Sequence, residues 1–105
     1  MYLLQGIDIM QISEIIRITE QEFSLKKGVI VKRGRTRTVA DARATAMYFA
    51  RMYTSFSLWE IADGFQRDHS TVLHNIHKVK GLMSNDTNTE LMSTIISIHN
   101  ALEGR

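Results

Sequence analysis

The sequence predicts a small all-α bundle that contains a helix-turn-helix, and three observations support this fold class. No proline occurs among the 105 residues. Apolar residues recur at helical spacing in five stretches, as expected of amphipathic helices. Two of these stretches, within residues 57–78, are separated by only a few residues, which is the plan of a helix-turn-helix. At this length we expect residues 1–105 to form a single domain.

The first predicted helix covers residues 8–23. Asp8 is its expected N-cap, with Gln11 three residues later as in a capping box. Its core-facing stripe is predicted to consist of Ile9, Ile12, Ile16 and Phe23. A turn over residues 24–28 follows, and its Gly28 is suited to stopping a helix.

A basic loop and a second helix come next. Residues 31–38 (VKRGRTRT) alternate basic and small side chains without an apolar period, so we expect a loop there. The second helix is predicted over residues 41–54, with Asp41 as its N-cap. Its inward residues include small alanines that let a neighbouring helix approach closely: Ala42, Ala46, Phe49, Ala50 and Tyr53.

Three further helices complete the prediction, over residues 57–65, 68–83 and 87–103. Each opens on an N-cap signal: a Ser57/Glu60 capping box, Asp68, and a Thr87/Glu90 capping box. Their inward residues are predicted to be Leu58, Ile61, Ala62 and Phe65, then Val72, Ile76, Val79 and Met83, then Leu91, Ile95, Ile98 and Leu102.

The outward face of the fourth predicted helix carries the main functional signal. A rotation of about 100° per residue places polar side chains opposite the apolar stripe, and these are Ser70, Thr71, His74, His77 and Lys78. The first turn of a helix-turn-helix reading helix meets base edges in the major groove. Asp can accept from a cytosine amino group, and Ser or Thr suits either base type. The sequence therefore favours a DNA-reading surface at this end.

Charge is distributed unevenly along the chain. Residues 26–51 hold eight basic residues and one acidic residue, a formal charge of +7, whereas the rest of the chain holds five and ten, a charge of −5. A concentrated positive region is the electrostatic footprint of a polyanion binder. Loop arginines beside a helical reader commonly enter the adjacent minor groove. The basic loop is therefore a second candidate DNA contact.

Composition excludes several classes of function. The absence of cysteine removes disulfides and thiolate metal sites and suits a reducing cytoplasm. No GxxxxGK[ST] or GxGxxG motif occurs, so we expect no bound nucleotide, no cofactor and no enzymatic activity. No apolar stretch is long enough to span a membrane.

Three alternatives compete with DNA binding. His69, His74 and His77 share one helix, but His69 points away from the other pair, and a zinc site needs three or four converging donors. Acid–base catalysis by Asp68 and His69 is less consistent with their positions than an N-cap role for Asp68. A protein-interaction bundle, or a homodimer, could use an apolar patch at Met83, Met92 and Ile96.

A set of motifs resembles the C-terminal DNA-binding domain of the bacterial DnaA replication initiators, over roughly residues 9–102. The most specific match is the string RDHSTVLH at residues 67–74. The other matching positions are Arg35-Thr36-Arg37, Arg43, Ala46-Met47-Tyr48-Phe49, Ser57-Leu58, Glu60-Ile61 and Phe65.

The resemblance implies a Trp-repressor-like bundle that binds double-stranded DnaA boxes in replication initiation or its regulation, in a cytoplasmic and nucleoid-associated protein. A stand-alone transcriptional regulator remains an alternative. The base-contacting residues it implies are Asp68, His69, Ser70 and Thr71 in the major groove and Arg35 in the minor groove. The phosphate contacts it implies are Lys32, Arg33, Arg37, Arg43, Ser57, Arg67, His74 and Lys78.

The chain departs from the DnaA pattern in three ways. Asp41-Ala42 stands where members often have a basic residue followed by proline, which puts a negative charge near the expected phosphate path. The turn at Gln66 is shorter than the usual double-glycine version. The ATPase region of a DnaA initiator is not in this sequence, and Met1 favours a natural short protein over an excised domain.

Overall fold

A computed structural model describes residues 10–34, 36–85 and 89–104. Within these ranges the chain forms five helices and no strand, which confirms the predicted all-α class. The helices are α1 (Ile12–Glu22), α2 (Arg37–Tyr53), α3 (Leu58–Phe65), α4 (His69–Asn85) and α5 (Thr89–Glu103). None of the described helices is long and apolar enough to cross a membrane.

Helix α2 is the centre of the bundle, and it packs against α1, α3 and α4. Its predicted alanines Ala42, Ala46 and Ala50 are fully buried, as is Ala44. Because an alanine presents only a methyl group, the neighbouring helices pack close to the α2 backbone. Helix α5 packs on α1 and also contacts α2 through Tyr53, whose hydroxyl lies 3.1 Å from His99 Nδ1, and α3 packs on α4. The helix-turn-helix is thus held against a rigid central helix.

Helix α1 begins later than predicted. Met10 and Gln11 are not helical, and Gln11 is the N-cap. The backbone N–H of Gln11 donates to Glu14 Oε1 at 3.0 Å, so the capping box uses this pair. The predicted cap Asp8 lies outside the described residues.

The buried face of α1 also differs from the predicted stripe. Ile15, Thr19 and Glu20 are buried, whereas Ile12, Ile16 and Phe23 are only half-buried, and Ile9 lies outside the described residues. Because α1 contacts α2, α3 and α5, its buried face is wide and centred between the predicted positions. Thr19 can be buried because its hydroxyl donates to the Ile15 carbonyl at 2.8 Å.

Helix α2 begins at Arg37, four residues before the predicted start, so the prediction of Asp41 as its cap is wrong. Thr36 is the N-cap, and its Oγ1 accepts from the Val39 N–H at 3.2 Å. Thr36 is itself a good capping residue and comes first along the chain. The last two residues of the predicted basic loop are therefore helical.

The remaining helices follow the predicted pattern more closely. The capping box at α3 is confirmed, with Ser57 N–H donating to Glu60 Oε1 at 2.8 Å. All the predicted inward residues of α5 are buried, while its predicted cap Thr87 lies outside the described residues. Met83 is 38% exposed, so its inward assignment is wrong. Helix α4 continues to Asn85, and beyond Val79 it carries no further buried residue.

Candidate nucleic-acid interface

The amino end of α4 is open to solvent and is organised by Asp68. Asp68 Oδ1 accepts from the Thr71 N–H and from the Ser70 hydroxyl, both at 2.8 Å. The backbone hydrogen bond from Thr71, followed by that from Ser70, lowers the pKa of Asp68 below its ordinary value. Asp68, His69 and Ser70 are exposed, and Thr71 is half-buried. An ionised acceptor and two short hydroxyl side chains therefore stand at an accessible helix end.

The turn before α4 is closed by a left-handed residue that is not glycine. Gln66 has φ = 57° and ends α3. The Gln66 N–H donates to the Asp63 carbonyl at 3.1 Å, and the Arg67 N–H donates to the Ala62 carbonyl at 2.9 Å. This pair of bonds is the Schellman arrangement. Three residues therefore suffice to connect the two helices of the helix-turn-helix.

The outer face of α4 continues this polar surface. His74 and His77 are exposed, one and two turns beyond the amino end of α4, which we call the reading end. Lys78 forms an ion pair with Asp41 of α2, with 3.3 Å between Nζ and Oδ1. Asp41, which the sequence suggested as a cap, thus lies beside a predicted phosphate contact.

Arg43 holds the base of the basic loop in place, meaning residues 30–34, where the chain enters the loop. Its side chain is buried, and its guanidinium donates to three backbone carbonyls: Nε to Ile30 at 2.8 Å, Nη2 to Lys32 at 2.8 Å and Nη1 to Gly34 at 3.5 Å. Burial, and next the charge of Arg67, lower the pKa of Arg43 from its ordinary value. Arg43 therefore fixes the path of the chain that leads into the predicted minor-groove arm.

A second arginine ties the same loop to the helix-turn-helix. Arg67 Nη2 donates to the Lys32 carbonyl at 2.9 Å, and Nη1 lies 3.4 Å from the Val31 carbonyl. The Nη1 atom also donates to the Phe65 and Gln66 carbonyls at 3.0 and 3.3 Å. The Lys32 carbonyl thus accepts from both Arg43 and Arg67. Because Arg67 directly precedes Asp68, the loop base lies next to the start of α4.

The loop and the turn border an open basic pocket of about 580 Å³, lined in part by Arg33, Arg43 and Arg67. Lys32, Arg33 and Arg37 are exposed. Arg35, the predicted minor-groove residue, lies outside the described residues. Among the residues that the structure describes, the Lys78–Asp41 contact is the one ion pair, so these loop cations have no carboxylate partner there. Such a surface attracts anions.

Sequence reasoning missed two residues at this interface. Buried Glu20 accepts from the Gly28 and Ile30 N–H groups at 2.9 and 3.1 Å and so anchors the entry to the loop. Trp59 on α3 is 64% exposed and stacks on His69. The signal for Glu20 was an acid beside an apolar stripe, and the signal for Trp59 was the single tryptophan on a polar helix face.

The alternative sites have little geometric support in the described ranges. No group of three His, Asp or Glu side chains there could hold a metal ion. One carboxylate oxygen of Asp68 accepts the capping hydrogen bond from the Thr71 N–H, which favours an N-cap role over acid–base catalysis. An apolar patch does occur at the other end of α4, where Met83 and Ile96 are exposed and Met92 is partly buried, and Met52 is exposed beside them.

Comparison with known proteins matches this architecture to one family. A family profile described as the bacterial DnaA protein helix-turn-helix matches residues 12–79, from the start of α1 to within α4. The chromosomal replication initiator protein DnaA of Agrobacterium fabrum is 38% identical over 96 residues, which are 87% of this chain and 20% of that protein. Its namesakes from Brucella abortus and Rhodopseudomonas palustris are 42% and 40% identical over 78 residues, 73% of this chain and 16% of theirs. The chain thus spans a fifth or less of these relatives.

Proposed function

Because this chain belongs to the bacterial DnaA helix-turn-helix family, we propose that it binds double-stranded DNA at sites resembling DnaA boxes, in replication initiation or its regulation. Helix α4 enters the major groove by its amino end, and the basic loop enters the neighbouring minor groove.

One observation carries this proposal more than any other. The exposed amino end of α4 and the base of the basic loop are adjacent, because Arg67 bonds to loop carbonyls and directly precedes Asp68. If the amino end of α4 were far from the basic loop, or were covered by the protein's own side chains, the two parts could not contact neighbouring grooves. The exposed amino end of α4 and its closeness to the start of the loop therefore support the proposal.

We assign the residue roles from the resemblance to DnaA domains and from the chemistry of each side chain. Asp68, His69, Ser70 and Thr71 read base edges in the major groove, and Arg35 reads the minor groove. Exposed cations and polar side chains on either side hold the phosphates: Lys32, Arg33, Arg37, Ser57, His74 and Lys78. Arg43 and Arg67 act mainly by shaping the loop, since their donors already bind carbonyls. Their combined charge still favours a phosphate nearby.

Selection of bound duplexes from a random library, at near-physiological salt, tests the proposal. We expect enrichment of one box-like sequence. Arg35→Ala and His69→Ala each lose about 1–3 kcal/mol on that sequence and relax specificity. Lys78→Ala, a matched change at a phosphate contact, weakens all duplexes about equally. Equal losses on specific and random DNA for Arg35→Ala would contradict its assigned role.

A protein-interaction role is the second candidate, and the exposed side chains of Met52, Met83 and Ile96 favour it. This patch lies about 20 Å along α4 from His69, at a rise of about 1.5 Å per residue. A partner could therefore bind there without blocking the reading end. Met83→Ser leaves DNA affinity unchanged if the two surfaces are separate. A loss equal to that of His69→Ala would place the patch in the DNA interface.

A further inference from the structure

The single tryptophan of the chain is placed where it cannot contribute to the core. Trp59 lies in the first turn of α3, and it is 64% exposed. The core-facing residues of this helix are Ile61, Ala62 and Phe65. An exposed indole is costly to leave in water, and tryptophan is enriched at binding surfaces because it combines a large apolar area with one polar donor. The exposed position of Trp59 is therefore typical of a binding surface.

The indole is stacked on the first residue of α4. The ring centroids of Trp59 and His69 are 4.5 Å apart, and the ring planes are inclined by 19°. This is offset-stacking geometry, in which each ring restricts the rotation of the other. No hydrogen bond joins the indole N–H to any residue in the described part of the chain, so its donor edge is free.

We propose that Trp59 belongs to the DNA interface, where it positions the His69 imidazole for base reading and donates its indole N–H to a backbone phosphate oxygen. This inference rests on the proposed DNA binding. The stack reduces the number of rotamers open to His69 before the DNA arrives, so less conformational entropy is lost on binding. The free N–H at the edge of the reading helix supplies a phosphate contact from α3, the helix that crosses the DNA backbone in this motif.

Two substitutions separate the two roles. Trp59→Ala removes both ring and donor, so we expect the ratio of affinity for the selected box to that for random DNA to fall about threefold to tenfold, the range of an aromatic pair. Trp59→Phe keeps a stacking ring but lacks the N–H. It should preserve that ratio while weakening both duplexes by a similar factor, about threefold to tenfold. Met52→Ala, at another exposed apolar side chain, is the control and should change neither quantity.

The double variant Trp59→Ala with His69→Ala shows whether Trp59 acts through His69. Its preference for the box should equal that of His69→Ala alone, because the stack has no imidazole left to orient. Independent, additive losses would overturn the positioning role. An unchanged affinity in Trp59→Phe would overturn the phosphate contact.

The stack can also be tested without DNA, which separates this inference from the proposed function. In the free protein the indole ring current should shift the His69 ring protons upfield in the NMR spectrum. Trp59→Ala should return them toward ordinary values, and Trp59→Phe should keep part of the shift. His69 resonances that do not respond to Trp59→Ala would overturn the inference. A wild-type chain that shows the shift but binds no duplex would instead overturn the DNA-binding proposal.

Discussion

At the scale of single residues, Asp41 is paired with Lys78, which we propose as a phosphate contact. Asp41 is mostly buried by its neighbours and holds the Lys78 ammonium at 3.3 Å. A phosphate that approaches Lys78 must therefore displace or share with a carboxylate, and the carboxylate also repels the phosphate. In the proposed complex, an acidic residue at this position, where DnaA members often have a basic one, should therefore weaken phosphate binding at Lys78.

We predict that Asp41→Asn raises the affinity for duplex DNA by about twofold to fivefold, since an ion pair near the surface contributes up to about 1 kcal/mol. The increase should be similar for specific and random duplexes, because the proposed role of Lys78 is a phosphate contact and not a base contact. Titration by fluorescence anisotropy measures it. Asp63→Asn removes an exposed carboxylate without a described cation partner and controls for the change in net charge. An equal gain in that control would remove the special role of Asp41.

A second prediction concerns Arg43, whose guanidinium serves three carbonyls at once. Arg43→Lys keeps the charge but loses the planar fork, so it cannot donate to the Ile30, Lys32 and Gly34 carbonyls at once. We expect it to lower the free energy of unfolding by about 1–3 kcal/mol and to weaken DNA binding. Urea denaturation measures the first effect. Arg37→Lys, at an exposed position, should stay within about 0.5 kcal/mol of wild type.

Residue roles differed in how far the sequence could predict them. The cap made by Asp68 is local, because acceptor and donor lie three positions apart, and it was predicted. The role of Arg43 depends on carbonyls 13, 11 and 9 positions earlier in the chain. Residue type and spacing cannot reveal such contacts. The phosphate role of Arg43 came from the resemblance to DnaA domains, and it stays a prediction.

At the scale of helices and turns, the turn between α3 and α4 contains removable strain. Gln66 has φ = 57°, a left-handed conformation in which the Cβ atom is crowded. We predict that Gln66→Gly raises the stability by about 1 kcal/mol, equivalent to a rise in melting temperature of about 4 °C. Gln66→Ala retains the Cβ atom, so its melting temperature should equal that of the wild type. Calorimetry distinguishes the two, and a glycine variant that melts lower would contradict the strain argument.

Helix boundaries illustrate the limits of local signals. The starts of α3 and α4 were predicted because each has one strong cap and an apolar stripe directly behind it. The start of α2 was misplaced because Thr36 and Asp41 are both good capping residues, and Thr36 comes first along the chain. In α1 a face that meets three helices buries more than a single stripe.

At the scale of the whole molecule, the charge asymmetry predicts a steep salt dependence. In the proposed binding mode the loop, the turn to which Arg67 ties it, and Lys78 all meet the DNA backbone. About four to six phosphates should then be neutralised on binding. The logarithm of the association constant should then fall with the logarithm of salt concentration with a slope of about −4 to −5, at about −0.9 per phosphate. Lys78→Ala should make the slope shallower by about one unit. Salt-independent binding would favour the protein-interaction role.

The sequence predicted the five-helix architecture, but it did not predict that the basic loop is attached to the start of α4. Five apolar periods predicted five helices, and the string RDHSTVLH identified the reading helix. The attachment of the loop to that helix depends on Arg67 reaching carbonyls 35 and 36 positions away. Only the folded chain brings those groups together.

The Lys32 carbonyl, shared by Arg43 and Arg67, has a consequence for how binding sites can diversify. It ties the start of the basic loop to the residue that precedes Asp68. In the proposed complex, the distance between the minor-groove and major-groove contacts is therefore fixed. Substitution of the base-contacting side chains can change which bases are preferred. One base pair inserted between the major-groove and minor-groove contacts, however, would rotate and shift one groove relative to the residues that contact it. No substitution of those side chains would restore both contacts.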